Sequence, residues 1–334
     1  MLTTQMEHDT NKIVLLHWIG RLGNRMFQYA FGCSYAKKYN CIFYIPSTWE
    51  GTEIFVENEY CKIVTDDELR HHINQTFANE EYRKKHLLEY NKRTNDTIEI
   101  VSMENKLNFG KTNIAFHDLH CMYFVHCFEI MEPEFVKHLF QFNDVVRQSE
   151  MYAFFSNKKQ TYDAVHLRRG DISQPNFSGH HSMISKQSYL NFIQKLRLNE
   201  KEIQWVSDNK HERTPNPWNV DSTEHAWSYP CGQKKIPVVF FNFLPDFLTL
   251  LFARTILRGN SSLSWWAAFL SEAKIYSPVV KPKPMDKKEK FYEMETEFVE
   301  GNHPHFMGNI CEGEFNDIVF SAGVSTLGFE NPDI

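Results

Sequence analysis

Several things are scarce or missing in this 334-residue chain, and each shortage excludes something. There is no surplus of positive charge. The 36 Lys and Arg face 42 Asp and Glu, a formal net charge of −6, so nothing draws nucleic acid or an anionic membrane to the chain as a whole. Any small anion must meet a local cluster of basic side chains. Cysteine is sparse and unpatterned: seven residues, at 33, 41, 61, 121, 127, 231 and 311, with no Cys-x-x-Cys. An odd count at irregular spacing disfavours a disulfide framework or a zinc site and fits reduced, mostly buried thiols. No Asp-x-Asp occurs, so the carboxylate pair that holds a divalent cation on a diphosphate in single-domain metal-dependent sugar transferases is missing. His-Glu-x-x-His and Gly-x-Ser-x-Gly are absent too. Neither Gly-x-Gly-x-x-Gly nor Tyr-x-x-x-Lys stands in the context a nicotinamide-dependent epimerase or reductase requires. No apolar run can span a bilayer: Ile13 to Ile19 is too short, and Val238 to Leu257 is interrupted by Asn242, Pro245, Asp246 and Arg254. The first ten residues carry neither the basic nor the apolar segment of a signal peptide.

What remains is an aromatic-rich globular chain with 28 Phe and only 14 Gly, and its length implies about two domains. Residues 12–19 read as a first strand, followed by the turn Gly20-Arg21-Leu22-Gly23-Asn24 and a helix from Met26 to Tyr39. Residues 41–46 read as a second strand. A helical stretch is expected near 78–93 and another over 132–160, opening at Glu132-Pro133. A second unit begins near residue 155. It has strands over 161–167, 203–206 and 236–241, and helices over 185–197, 246–257 and 261–271. Alternating strands and helices imply parallel sheets, with working residues at the strands' C-terminal ends. The expected division is 1–155, 156–280, and a linker and tail over 281–334.

Three constellations could carry chemistry. The strand Val165-His166-Leu167 delivers Arg168, Arg169, Gly170 and Asp171 into one loop. Guanidinium forks suit bidentate capture of phosphate, though a structural Arg–Asp pair reads equally well from spacing. Gly20 to Asn24 could present helix N-terminal amides to an anion, or could be a plain turn with Asn24 as the cap. Gly259-Asn260-Ser261-Ser262-Leu263-Ser264 sets three hydroxyls where a helix starts, either a phosphate cradle or ordinary capping. Asp246, opening the preceding helix, is a cap or a partner for a base edge.

Taken in order, these segments resemble the α-1,2 fucosyltransferases, the GDP-fucose-dependent glycosyltransferase family 11 type. Gly20-Arg21-Leu22-Gly23-Asn24-Arg25-Met26-Phe27-Gln28-Tyr29-Ala30 is similar to that family's Gly-x-Leu-Gly-Asn-Gln-Met-Phe-Gln-Tyr-Ala opening. His166 to Asp171 resembles its His-x-Arg-Arg-x-Asp motif, and residues 246–271 its Asp-Phe…Asn-Ser-Ser-x-Ser-Trp-Trp block. Residues 205–209 are similar to its Phe-Ser-Asp-Asp segment. The resemblance implies an α/β GT-B fold of two Rossmann-like domains facing a cleft, with acceptor binding mainly in the first and GDP-sugar binding in the second. It implies an inverting, metal-independent galactoside 2-α-L-fucosyltransferase-like enzyme with no cofactor beyond the donor GDP-L-fucose, and a glycan acceptor. Carried over by position, Arg168, Arg169 and Asp171 are catalytic. Arg21, Gly23, Asn24, His166, Asp208, Asp246, Ser261 and Ser262 join the two arginines around the donor. Three departures are Arg25 where the family has Gln, Asn209 where it has Asp, and Arg254 near a usual His. Arg25 adds charge beside the donor and keeps another GDP-deoxyhexose, such as rhamnose, open as the sugar. A binding protein for GDP-sugars or glycans without activity is the other alternative. Animal members of the family are Golgi-anchored; without such a segment the expectation is a cytoplasmic enzyme of bacterial or viral origin.

Overall fold

The computed structural model describes residues 11–15, 18, 21–65, 67–69, 99–101, 110, 114–116, 130–170, 183–218, 243–279 and 293–303. The expected helix near 78–93, the strand over 236–241 and the charged stretch 281–290 lie outside them. The chain forms two compact units, and the change from one to the other falls between Gln141 and Phe142.

In the first unit a five-stranded, all-parallel sheet runs in the order β3-β2-β1-β5-β4. Its strands are β1 (Lys12–Leu15), β2 (Ile42–Pro46), β3 (Cys61–Val64), β4 (Glu99–Val101) and β5 (Ile114–Phe116). Between β1 and β2 runs α1 (Leu22–Tyr39), buried along most of its length, with Lys37 and Lys38 favourably placed against its dipole and Asn40 leaving in the left-handed region at φ 51°. Helix and sheet approach so closely that a Cβ on Gly32 would stand 2.3 Å from the Phe43 ring. α1 starts four residues earlier than its apolar periodicity indicates. The Arg21 carbonyl accepts from the N–H groups of Asn24 and Arg25, so Gly23 and Asn24 belong to the first turn; Arg21 is the N-cap and makes no side-chain cap bond. Asn24 is therefore not the cap. The one-turn α2 (Gly51–Ile54) follows β2, and α3 (Pro133–Leu139) closes the unit with Pro133 in its first turn.

The helix expected over 132–160 is broken into α3, α4 (Asp144–Arg147) and α5 (Glu150–Ser156). The breaks are capping events: the Asn143 side chain accepts from Val146 N–H, and Ser149 from Tyr152 N–H.

The second unit carries a five-stranded sheet ordered β12-β10-β9-β6-β8. Its strands are β6 (Asp163–Leu167), β8 (Ile203–Ser207), β9 (Thr255–Leu257), β10 (Lys274–Pro278) and β12 (Phe298–Glu300); only the β10–β12 pair is antiparallel. A two-stranded parallel ribbon joins β7 (Met183–Ile184) to β11 (Glu293–Met294). β6 is buried at every position, which requires cover on both faces. On one face α6 (Lys186–Leu196) packs Tyr189, Phe192 and Ile193 against Val165, Leu167, Leu257 and Phe298. α7 (Leu244–Leu251) lies over β6 and β8 and packs on α8 (Ser262–Leu270), whose Trp265 and Trp266 are in the core. Thus the helix expected over 246–257 ends at Leu251, and its last three residues form a central strand. The apolar run Phe247 to Leu257 shows no period that separates a buried helix from a buried strand. Residues 293–303, read from the sequence as tail, carry β11 and β12.

Arg254, one of the departures noted above, has a structural part here. Its Nε and Nη2 donate to the two carboxylate oxygens of Asp163 at 3.2 and 2.7 Å, and the Asp163 side chain is wholly buried. Replacing Arg254 by Met strands that carboxylate, and we expect a loss of about 3–5 kcal/mol in urea unfolding; a variant as stable as the parent would contradict this assignment.

Candidate functional site

β9, β6 and β8 are adjacent, parallel and in register, with Val165 beside Leu257 and Leu167 beside Ser207. Their C-terminal ends therefore open on the same edge of the sheet, the usual place for a ligand in an open α/β sheet. The residues that leave these ends are Arg168 and Arg169 from β6, Asp208 from β8, and Arg258, Gly259, Asn260 and Ser261 from β9.

Side-chain and backbone contacts tie the three loops together. The buried Tyr189 hydroxyl lies 3.0 Å from the His166 carbonyl oxygen and 3.1 Å from that of Arg258, donating to the pair. Gly259 passes so close to β6 that a Cβ there would meet the His166 carbonyl oxygen at 2.6 Å and its Nδ1 at 3.0 Å. Arg168 Nη1 donates to the Asn260 carbonyl at 2.8 Å, which brings a half-buried guanidinium to the start of α8. Ser261 caps that helix, its Oγ accepting from Leu263 N–H, and Ser262 is the first helical residue. Ser264, the third hydroxyl of the motif, turns inward and donates to the carbonyls of Gly259 and Ser261. His166, Arg168, Ser261 and Ser262 are thus brought together.

Arg169 is placed differently. The residue is 8% exposed and its guanidinium is already engaged: Nε donates to Glu212 at 3.3 Å, Nη1 to the Ile184 carbonyl at 2.9 Å, and Nη2 stands 3.6 Å from Glu293. Its backbone N–H donates to Asp208 Oδ1 at 2.8 Å. Asp208 also crowds Gly170, where a Cβ would stand 2.2 Å from Oδ2. Asp246, half-buried in the first turn of α7, has its carboxyl pushed up to about 7, by burial first, then by the charge of Asp208, against the opposing pull of Arg213. Asp171 lies outside the described residues.

Arg21, Gly23 and Asn24 sit at the start of α1 in the first unit, Arg21 exposed, Gly23 buried and Asn24 half-buried. Arg25 does not offer a loose charge there, because its Nη1 is paired with Glu50 at 2.6 Å. Sequence reasoning missed Arg258, which was hidden by the reading of 246–257 as one helix. It is fully buried, and Nη1 donates to Ser277 Oγ and Asn302 Oδ1 and to the His303 carbonyl. Burial pushes its guanidinium down to about 9. Tyr189, Glu212 and Glu293 were missed as well. No local pattern marks them, since the site residues they hold, His166 and Arg258 for Tyr189 and Arg169 for the two glutamates, are 23 to 124 positions away in the chain.

No model of a known protein family matches the chain, and no curated protein sequence matches it. Solved structures do. A variant of FUT1 from Arabidopsis thaliana in complex with GDP matches with a TM-score of 0.51 at 10% identity, over 88% of this chain and 74% of that one. The fucosyltransferase NodZ from Bradyrhizobium matches with a TM-score of 0.48 at 12% identity, covering 87% of this chain and 99% of that one. POFUT1 in complex with GDP matches with a TM-score of 0.44 at 12% identity, covering 79% and 96%. At such identities the likeness is one of fold: this chain is an α/β protein with parallel sheets, similar in fold to the plant FUT1 structure. Among the described residues no helix is long and apolar enough to cross a membrane.

The raised Asp246 carboxyl sets a pH dependence with a definite sign. The folded state holds this proton more tightly than the unfolded state. The stability it contributes is complete below 3.8 and is lost as the pH rises to about 7. In Asp246→Asn that loss disappears, so the thermal midpoint of the variant relative to the parent should rise between pH 4 and pH 8, by an amount worth a few kcal/mol. A constant difference across that range would show that the carboxyl is not held in this way.

Proposed function

We propose that this chain is a GDP-sugar-dependent glycosyltransferase that moves L-fucose from GDP-L-fucose to a hydroxyl of a glycan acceptor. The observation that carries the reading is the meeting of Arg168 with the start of α8 over the aligned ends of β6 and β9. A guanidinium and a helix N-terminus together suit a diphosphate. The fold likeness to a GDP-bound FUT1 structure supports the nucleotide half of the reading, and the motif resemblance supports the sugar. The resemblance also underlies the finer parts of the proposal: a GT-B cleft, inversion at the anomeric carbon, independence of metal, and an α-1,2 linkage. Arg25, the departure that kept another GDP-deoxyhexose open, is paired with Glu50.

In the reaction an acceptor hydroxyl attacks the anomeric carbon as GDP departs from the opposite face. The ring becomes oxocarbenium-like and negative charge grows on the β-phosphate. Arg168 and the amides at the start of α8 stabilise that charge more in the transition state than in the ground state. Arg169, held by Glu212, Glu293 and the Ile184 carbonyl, fixes the path of the loop that aims Arg168. Asp208 fixes the same loop through the Arg169 N–H. His166 and Asp246 line the nucleoside end, and the motif resemblance gives Arg21, Gly23 and Asn24 a part in donor binding.

The two arginines should separate on mutation. Arg168→Ala should lower kcat by about 10²–10³ with little change in thermal midpoint. Arg169→Ala leaves two carboxylates facing an empty site and should lower the thermal midpoint as well as the rate. Equal effects of the two on stability would count against this division of roles.

Donor choice is tested by incubating the protein with each GDP-sugar and with a UDP-sugar, with and without EDTA, and measuring nucleotide release. We expect release from GDP-L-fucose, stimulated by a glycan acceptor and unaffected by chelation. Release from a UDP-sugar alone, or complete loss with EDTA, overturns the proposal.

A further inference from the structure

The first unit contains a cavity of about 340 Å³ that the proposed transfer reaction does not use. It lies against the edge strand β3 and the crossover from β2, and Tyr29, Trp49, Phe55, Asn58, Cys61 and Ile63 are among the residues that line it. Trp49 and Tyr29 meet with ring centroids 4.4 Å apart, and Ile63 is exposed on the outer edge of the sheet. Two thiols stand together at this wall. Cys61, at the start of β3, is half-buried and faces the cavity, whereas Cys33, on α1, is completely buried behind it. The Tyr29 hydroxyl is 3.6 Å from Cys61 Sγ. Asn58 Nδ2 reaches both the Tyr29 oxygen at 2.5 Å and Cys33 Sγ at 4.0 Å. The Cys61 sulfur is 3.9 Å from the Asn58 carbonyl.

The roles of the two sulfurs differ. The hydrogen bond from Cys33 pulls the Cys61 thiol down to about 7 against the effect of its burial, with Tyr29 helping and the charge of Glu57 opposing. Burial pushes the Cys33 thiol well up. This is the division between an attacking thiolate and a protonated second thiol found in dithiol exchange. Cys41, by contrast, is pushed up to about 12 by burial alone.

We propose that Cys61 and Cys33 form a thiol–disulfide exchange site that opens on this cavity and takes a low-molecular-weight disulfide as its ligand. The Cys61 thiolate attacks one sulfur of the disulfide R–S–S–R. A Cys61–S–S–R bond forms, and one R–S⁻ leaves. Cys33 then gives up its proton to the departed R–S⁻ and attacks the Cys61 sulfur. A Cys33–Cys61 disulfide forms, and the second R–S⁻ leaves and takes up the proton that Cys61 lost to solvent on ionising. The two thiols of the protein are oxidised by two electrons, and the ligand is reduced to two thiols. The product ties α1 covalently to the edge strand. Lys62 and Glu57 are the charged groups among the cavity's lining residues, the Tyr29 hydroxyl is the titratable group seen against the Cys61 sulfur, and Cys33 lies behind it on the same Asn58 amide.

The test uses the reduced full chain and oxidised glutathione, followed by intact mass and peptide mapping. In the parent we expect a glutathione adduct on Cys61 that converts to a Cys33–Cys61 bond with the loss of two hydrogen atoms from the dithiol. In Cys33→Ser the adduct on Cys61 should persist. Iodoacetamide labelling of the parent at pH 7 provides a reading that needs no variant: Cys61 should react at least ~10-fold faster than Cys41. The proposal is overturned if Cys61 labels no faster than Cys41, or if the parent stops at the mixed disulfide as Cys33→Ser does.

Discussion

The hydroxyl of Tyr189, enclosed beneath α6, donates to the carbonyl oxygens of His166 and Arg258. These carbonyls belong to neighbouring strands just where each strand ends, and both would otherwise be buried polar atoms in need of a partner. One phenol from the covering helix therefore sets the separation of the two loops that follow. With that separation fixed, Gly259 can lie against His166 without a Cβ, and Arg168 can reach the Asn260 carbonyl. The burial that surrounds Tyr189 also pushes its phenol up, so the donor stays protonated over any ordinary pH.

The arginines show how an acidic chain holds positive charge in specific places. Arg25 is matched to Glu50, Arg254 to Asp163 and Glu202, and Arg169 to Glu212 and Glu293. Arg258 is matched to dipoles alone. Arg168 reaches the Asn260 carbonyl oxygen at the head of α8. The carboxylates of the composition have a structural use, because several of them hold guanidiniums in fixed ion pairs.

The elements legible in the sequence were those with a strong local signature. Examples are the β-branched run before Gly20, the capped amphipathic helix from Ser185, Pro133 in a first turn, and Ser261 at the head of α8. The failures came where the determining contact is distant, or where a side chain caps its own backbone inside a stretch of helical composition. Nothing in the run from Phe247 to Leu257 announces that Thr255–Leu257 will lie between β6 and β10. The stretch 132–160 is helical in composition, yet Asn143 and Ser149 offer backbone bonds that divide it. At the candidate site the motifs pick out loops that meet at the strand ends but cannot rank the two adjacent arginines. Their difference is made by Glu212 and Glu293, which are 43 and 124 residues from Arg169.

The segment 293–303 is held to the second unit in several ways at once. Glu293 approaches Arg169, Glu295 accepts from the hydroxyls of Ser185 and Ser188, Met294 and Phe298 enter the core, and Asn302 and His303 receive the Arg258 guanidinium. It follows that these eleven residues behave toward the rest of the unit as a tightly bound peptide. A protease that cuts the lysine-rich stretch 281–290 creates two fragments that remain associated, and separating them requires denaturant. The nicked protein should then run as one species in a native gel and as two under denaturing conditions, and the short fragment added back in trans should restore the long one.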